Sequence, residues 1–398
     1  GHGHRASSLP LTSTRSLAPP GHAGKRCETP RCTVRSDAAR VICPRHAGLR
    51  EVAVKAVRLH TYDERPRVED VAEPTLAGPN DVIVEIGGAG LCRTDLHIVE
   101  GQWADRSGVA LPYTLGHENA GWVREVGAAV EHVQPGDTVI LHPLATCGFC
   151  RACRAGDDVH CESSTFPGID TDGGMAELLC SSARSVVKLA AGTQPADVAA
   201  LADAGLTAYH AVKKAVPLLH PGSTCIVVGA GGLGHIGVQC LRALTAASIV
   251  VLDANQTALE LARGWGADET VLTDGAHVAT VLDMTEGKGA EVVLDFVGER
   301  GAERDAWRMT RRAGSHFVIG YGGTVEVPTI DVISTERNVV GNLVGSYNDL
   351  AELMVLAQTG RVTLHTRPYP LDAVNEAMDD LNAGRLQGRG ILVPARAS

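Results

Sequence analysis

Between about residues 205 and 343, five near-continuous apolar runs (STCIVVG, SIVVLD, ETVL, EVVLDFVG and SHFVIG) alternate with helix-patterned segments such as LGHIGVQCLRAL and QTALELARGWG. A strand without polar alternation has to be buried on both faces, and only a parallel sheet with helices on each side does that repeatedly. Residues 205–343 are therefore expected to form an α/β domain with a doubly wound parallel sheet. From Val54 to about residue 204 the pattern is different: DVIVEIGGAG, AGWVREVG and DTVIL are short strand signals punctuated by Gly and Pro. This reads as a mainly-β domain. From Val344 the chain is helical again (DLAELMVLAQTGRV) and closes with a strand, GILVP, so 344–398 is expected to return to the first domain. A chain of 398 residues supplies ample material for two cores.

The first βα turn carries chemistry. In TCIVVGAGGLGHIGVQ, the pattern G-x-G-x-x-G falls on Gly229, Gly231 and Gly234, directly after a strand and opening a helix. The first glycine permits a tight turn, the second lets backbone approach a pyrophosphate, and the third lets helix and strand pack closely. Gly232 and Leu233 lie in the same turn, ahead of a helix N-terminus whose free N–H groups favour phosphate. With 45 glycines in the chain the motif alone is weak, but its flanks are right on both sides. Asp253 ends the next strand, 19 residues beyond Gly234. A carboxylate there accepts hydrogen bonds from a ribose 2′-hydroxyl and repels a 2′-phosphate, which points to NAD rather than NADP.

Cys147, Cys150, Cys153 and Cys161 are spaced C-x2-C-x2-C-x7-C inside HPLATCGFCRACRAGDDVHC, a lobe over 147–161. Four thiolates gathered by local chain reversal suit one tetrahedral zinc with no water ligand. Gly148 and Gly156 allow the tight folding this needs. An iron–sulfur cluster is the rival use of such spacing, but the fourth cysteine is not followed by proline as in ferredoxin runs. A pair of disulfides is the other. This metal is structural, and the chemistry has to lie elsewhere.

A second donor set is dispersed: Cys92 in GLCRTDLH, His117 and Glu118 in LGHENAG, and Asp203 in ALADAGLTAYHA. Each is unremarkable singly. A thiolate, an imidazole and a carboxylate on one zinc would leave a fourth position open for water or a substrate oxygen.

These stretches, in this order, resemble the zinc-dependent medium-chain alcohol dehydrogenases, in particular bacterial NAD-linked enzymes that accept secondary and medium-sized alcohols. The resemblance covers roughly residues 54–398. It implies a GroES-like, mainly-β catalytic domain beside a Rossmann-type domain, with two zinc ions per chain. Cys92, His117 and Asp203 match the catalytic zinc ligands, and Glu118 the acid that can approach the metal. Many relatives have cysteine where Asp203 stands; a bacterial branch has aspartate. The four lobe cysteines match the structural zinc ligands. Thr94 matches the hydroxyl that receives the alcohol proton, and His97 the outlet of that relay to solvent through the cofactor ribose. Arg93 and Arg389, the latter in QGRGILVP, match pyrophosphate contacts, and Thr207 a contact on the nicotinamide side. Trp103 and Tyr113 are candidates for the alcohol pocket or, equally, for core packing.

Rival readings are weaker. Tyr209 and Lys213 fit the Y-x-x-x-K of short-chain dehydrogenases, but they precede the glycine turn, so the match is read as coincidence. Zinc-free quinone or enoyl reductases lack the ligands that this chain has. A polyol or threonine dehydrogenase shares the C-x-T-D-L-H pattern and is the nearer alternative. A non-catalytic NAD- or zinc-binding scaffold leaves Cys92, His117, Asp203, Thr94 and His97 unexplained together.

Charge bounds the partners. Residues 1–50 carry nine Lys/Arg and two Asp/Glu, a net of +7 in a chain of net −10, which leaves −17 for the remainder. Such a body is not expected to bind nucleic acid, and no apolar stretch reaches the roughly 20 residues of a membrane helix. Residues 1–53, without Phe, Trp or Tyr, are expected to be a disordered or non-native extension, with the native chain starting near Val54. Cys27, Cys32, Cys43, His2 and His4 fall there. Cys180, Cys225 and Cys240 read as small buried hydrophobes. The expected partners are an alcohol, aldehyde or ketone and further copies of the chain, as a homodimer or homotetramer, in the cytoplasm.

Overall fold

The computed structural model describes residues 53–395. The expectations placed on residues 1–52 lie outside the described residues.

Six strands form one parallel sheet in the spatial order Glu269–Leu272, Ser248–Asp253, Thr224–Val228, Ala290–Asp295, Thr310–Val318, Asn338–Gly341. Side chains of a strand alternate between faces, and here both faces are apolar. Cys225, Val227, Ile249, Val251, Val292 and Leu294 point into one core with helices Ala204–Ala215 and Gly234–Leu244. Ile226, Val228, Val250, Leu252 and Val293 point into another, with helices His277–Met284 and Ala302–Met309. The doubly covered parallel sheet is thus present. The edge strand Asn338–Gly341 has no counterpart in the sequence reading. Its four residues NVVG carry too little periodicity to register, and Val339 is 46% exposed.

A second sheet is mixed and mostly antiparallel, ordered Thr366–Pro370, Arg389–Val393, Asp81–Leu91, Glu118–Val126, Thr138–Leu141, Val186–Lys188, with Leu178–Ser182 also paired to Asp81–Leu91. A small antiparallel sheet of Ala53–Leu59, Arg67–Ala72 and Tyr113–Thr114 packs on the same core. The first strand starts at Ala53, one residue ahead of the Val54 boundary read from the sequence. This mainly-β part also holds short helices that the strand pattern conceals, Arg93–Val99, Ala104–Ser107 and Arg151–Ala155. The last strand, Arg389–Val393, runs antiparallel to Asp81–Leu91 with Gly390 opposite Leu91. The end of the chain is thereby brought beside Cys92.

Of the three cysteines read as buried, Cys225 and Cys240 are fully so, whereas Cys180 is only half-buried. Its strand, Leu178–Ser182, covers one flank of Asp81–Leu91 and leaves the thiol at the rim of a small cluster. No helix among the described residues is long and apolar enough to cross a membrane.

Candidate active site

Sheet register assembles the dispersed donors. Cys92 follows the strand Asp81–Leu91 and caps the helix Arg93–Val99, and Gly90 stands opposite Glu118 on the neighbouring strand. A Cβ at Gly90 would meet Glu118 Oε2 at 2.0 Å, so the missing side chain is what admits the carboxylate. Gly116, at φ +104°, turns the chain into that strand and sets His117 beside Cys92. Asp203 comes from the start of the helix Ala204–Ala215. One donor atom each from Cys92, His117, Glu118 and Asp203 lie within 4.8 Å of one another. Cys92, His117 and Glu118 are buried.

The polar atoms of this cluster do not satisfy one another. Both ring nitrogens of His117 are buried without a hydrogen-bond partner, as is Asp95 Oδ1. His117 Nδ1 is 3.4 Å from Asp95 Oδ1 and Nε2 is 3.5 Å from Asp203 Oδ2, close contacts that lack hydrogen-bond geometry. Burial works to lower the His117 pKa, but the charges of Asp95 and Cys92 outweigh it and hold the ring well above its ordinary value. Two acids, a thiol and an imidazole with orphaned atoms fit a zinc ion through Cys92, His117 and Asp203. Asp95, which the sequence reading passes over, faces the far nitrogen of His117 as a carboxylate that orients a metal-bound imidazole does. It sits in plain view in GLCRTDLH, and also accepts from the Cys92 amide at 2.8 Å.

Glu118 is tied from two sides. Its Oε1 accepts from the Ala204 amide at 3.0 Å, and its Oε2 from Arg389 in a buried ion pair. Burial raises the Glu118 pKa, while Arg389 and His117 pull against it. Arg389, read as a pyrophosphate contact, spends its guanidinium on Glu118 yet also borders the glycine turn. A Cβ on Gly232 would meet its Nη1 at 2.8 Å.

The glycine turn has the form expected. Gly229 has φ +92°, and a Cβ on Gly234 would meet Gly229 O at 1.8 Å. A Cβ on Gly231 would meet nothing within 4 Å: the protein leaves that space open, as a phosphate cradle requires. Asp253 lies across the turn, its Oδ2 accepting from the Ala230 amide at 2.7 Å. Thr207 is turned to Asp203, donating from Oγ1 to Oδ1 at 3.2 Å. Arg93 starts the helix Arg93–Val99 and bears electrostatically on His97. Thr94 and His97 both reach the hydroxyl of Tyr321, at 3.0 Å each. That residue comes from the loop after the strand Thr310–Val318, and no sequence signal marks it. Of the two pocket candidates, Tyr113 is 3% exposed and belongs to the core, whereas Trp103 faces Tyr321.

In the lobe the four cysteine sulfurs also lie within 4.8 Å of one another. Sulfurs on one tetrahedral zinc at about 2.3 Å sit about 3.8 Å apart; those of Cys147 and Cys153 are 4.0 Å apart. The amides of Phe149 and Cys150 donate to the Cys147 sulfur and bring its pKa down to about 6. All four thiols are free rather than disulfide-bonded, so the donor set fits zinc.

Known proteins agree with this layout. The family described as alcohol dehydrogenase GroES-like domain matches residues 78–191, and the zinc-binding dehydrogenase family matches residues 232–359. A D-arabinose 1-dehydrogenase (NADP(+)) of Saccharolobus solfataricus is 34% identical over 350 residues, 86% of this chain and 98% of that protein. The chain belongs to the zinc-dependent medium-chain alcohol dehydrogenase family. An NAD-dependent alcohol dehydrogenase of Sulfurisphaera tokodaii is a further member, 32% identical over 350 residues, 86% of this chain and all of that protein. Among solved members, the alcohol dehydrogenase of Aeropyrum pernix superposes with a TM-score of 0.84 at 46% identity, over 85% of this chain and 100% of that one. As in the family at large, a GroES-like part and a Rossmann-type part make up this medium-chain dehydrogenase.

Proposed function

We propose that this chain is a dehydrogenase that reversibly oxidises primary or secondary alcohols to aldehydes or ketones, using NAD and a catalytic zinc. The observation that carries the reading is the gathering of Cys92, His117 and Asp203 donor atoms within 4.8 Å of one another, around a buried His117 whose two ring nitrogens have no hydrogen-bond partner. When bound, zinc supplies Lewis-acid stabilisation of an alkoxide and NAD accepts the hydride. The chain's own groups hold and orient. Cys92, His117 and Asp203 hold the metal, Asp95 aligns His117, and Glu118 braces the cluster against Arg389. Thr94 takes the alcohol proton and His97 carries it toward solvent. Gly229, Gly231, Gly232, Leu233 and Gly234 cradle the pyrophosphate with Arg93 and Arg389, Asp253 takes the adenosine ribose, and Thr207 borders the nicotinamide. Cys147, Cys150, Cys153 and Cys161 hold the structural zinc.

In this reading residues 54–204 and 344–398 form the catalytic domain around a nucleotide domain at 205–343. The open edge strand Asn338–Gly341, flanked by Ile330, Ile333 and Leu343 at 66%, 73% and 55% exposure, supports a homo-oligomer that pairs this edge with a second copy. Light scattering on the purified chain tests that, and a monomer at working concentration refutes it. A cytoplasmic location fits the free thiols of the lobe.

A sugar or polyol substrate is the second reading, favoured by the likeness to the arabinose dehydrogenase. Cofactor reduction with zinc-loaded protein, against primary, secondary and polyol alcohols and aldoses with NAD and NADP in parallel, separates the two. NAD-linked turnover of simple alcohols, lost on chelation, is the expected result. Turnover confined to sugars would replace it with the second reading.

A further inference from the structure

The helix Gly234–Leu244 opens with His235, whose imidazole has no part in the proposed reaction. The residue is fully buried. Its Nδ1 lies 3.0 Å from the Gly231 carbonyl oxygen, and its backbone amide donates to the same oxygen at 3.1 Å. The ring is tilted against Trp265 at a centroid distance of 5.2 Å. Its Nε2 is buried with no hydrogen-bond partner. One turn on, Gln239 donates to the His235 carbonyl at 3.0 Å and to the Thr363 carbonyl at 2.9 Å, which ties this end of the helix to the segment that leads back toward Arg389.

The proton of this ring can be placed. A carbonyl oxygen only accepts, so Nδ1 carries the hydrogen and Nε2 is bare. Burial, helped by the charges of Arg389 and His365, brings the His235 pKa down to about 4 against the pull of the Gly231 and Gly232 carbonyls, so the ring is neutral near neutral pH. A buried nitrogen left without a partner costs stability, which an apolar side chain in its place would not. What the imidazole gives in return is its hold on Gly231. A peptide unit is planar and trans, so the Gly231 carbonyl and the Gly232 N–H point in opposite directions. With two hydrogens holding the carbonyl toward the helix, the Gly232 N–H faces out of the helix end, as first-turn N–H groups do, where Arg389 borders Gly232. A flip of this peptide would set a carbonyl oxygen where an anion has to sit. Glycine on both sides of the bond offers little steric resistance to such a flip.

We propose that His235 is a positioning residue of the cofactor site: its Nδ1–H locks the Gly231–Gly232 peptide with the N–H facing the cofactor's pyrophosphate. The proposal rests on the NAD-linked dehydrogenase reading. His235 touches neither cofactor nor substrate and acts through the backbone, on the phosphate-bearing part of the ligand alone. The adenosine ribose falls to Asp253, whose bond to the Ala230 amide does not involve the locked peptide.

His235→Phe keeps a buried ring against Trp265 and removes the donor, whereas His235→Gln keeps a donor that can reach back one turn. Calorimetric titration of the zinc-loaded proteins with ADP-ribose, which carries the pyrophosphate, and with adenosine, which lacks it, reads the lock directly. ADP-ribose is expected to bind His235→Phe about three- to tenfold more weakly than the parent, as for the loss of one hydrogen bond. Adenosine should keep its parental affinity, and His235→Gln should recover most of the ADP-ribose affinity. In turnover the KM for NAD should rise by a similar factor, exceeding any change in kcat. ADP-ribose bound as tightly by His235→Phe as by the parent, or adenosine weakened by the same factor, would reduce His235 to a packing role and overturn the proposal. Should His235→Phe fail to fold, His235→Leu removes the same donor and is read in the same way. A parent protein that binds ADP-ribose but oxidises no alcohol would instead overturn the dehydrogenase reading, whatever the variants do.

Discussion

Arg389, from the last strand, and Glu118, from the strand that follows His117, close a buried ion pair in the space left by Gly90. Removing one partner leaves the other charge buried and alone, which costs about 3–5 kcal/mol. Arg389→Met is therefore expected to lower unfolding stability by roughly that amount, while Arg389→Met with Glu118→Leu recovers a good part of it. Denaturant titration of the three proteins checks this. Equal losses in the single and double variants would show that packing, not the orphaned charge, dominates.

The two metal sites share no ligand and no structural element, so they should come apart. Cys92→Ala removes one donor of the buried cluster and leaves the lobe untouched. Several kcal/mol of transition-state stabilisation rest on a Lewis-acid metal, so turnover should fall roughly 10³-fold or more. Metal analysis should fall from two zinc ions per chain to one. A variant that keeps near-parental turnover would remove Cys92 from the catalytic set.

The local parts of this site are legible in the chain and the long-range parts are not. Gly229 to Gly234 form one turn and the four lobe cysteines one loop, so spacing alone predicts their geometry. Asp95 lies inside a motif already noticed, but its bearing on His117 depends on the sheet register that sets Gly90 opposite Glu118. Tyr321 is 227 residues from Thr94 and sits in a glycine-rich stretch with no pattern of its own. Only the parallel sheet brings it to the cleft. Arg389 is legible as a cation near the cofactor, but not as the partner of Glu118, because nothing in a sequence says which of two nearby anions it will meet first. The Y-x-x-x-K match is resolved by partners: the Tyr209 hydroxyl donates to Glu352, and Lys213 reaches both Asp349 and Glu352.

Asp253 sits across the glycine turn with one oxygen held by the Ala230 amide and the other by the Asn255 amide. A carboxylate so fixed favours a ribose diol over a 2′-phosphate. A hydrogen bond to a charged group contributes about 1.5–3 kcal/mol, so Asp253→Ser should narrow the preference for NAD over NADP by roughly ten- to a hundredfold. Ratios of kcat/KM for the two cofactors measure this. An unchanged ratio would place the discrimination elsewhere in the turn.

Asp349 links the joining helix Ala204–Ala215 to the returning helix Tyr347–Gln358. Its Oδ2 contacts His210 Nδ1 at 2.8 Å and accepts from the Ser346 amide at 2.9 Å, and its Oδ1 accepts from Lys213 at 2.8 Å. Burial alone would raise its pKa, but the bonds from His210, Lys213 and Ser346 outweigh that and hold it far below the usual carboxylate range. A carboxylate depressed in the folded state binds its proton first in the unfolded chain, so the unfolded state gains as the solution turns acid. The stabilisation is complete above the unfolded value of about 3.9, and is lost as pH falls toward the folded one. Asp349→Asn should therefore be less stable than the parent near neutrality, with a gap that closes below about pH 4. Denaturant midpoints of both proteins across that range decide it. A gap that stays constant into acid would mean that the Asp349 charge is idle and that only the shape of its hydrogen bonds holds the two helices together.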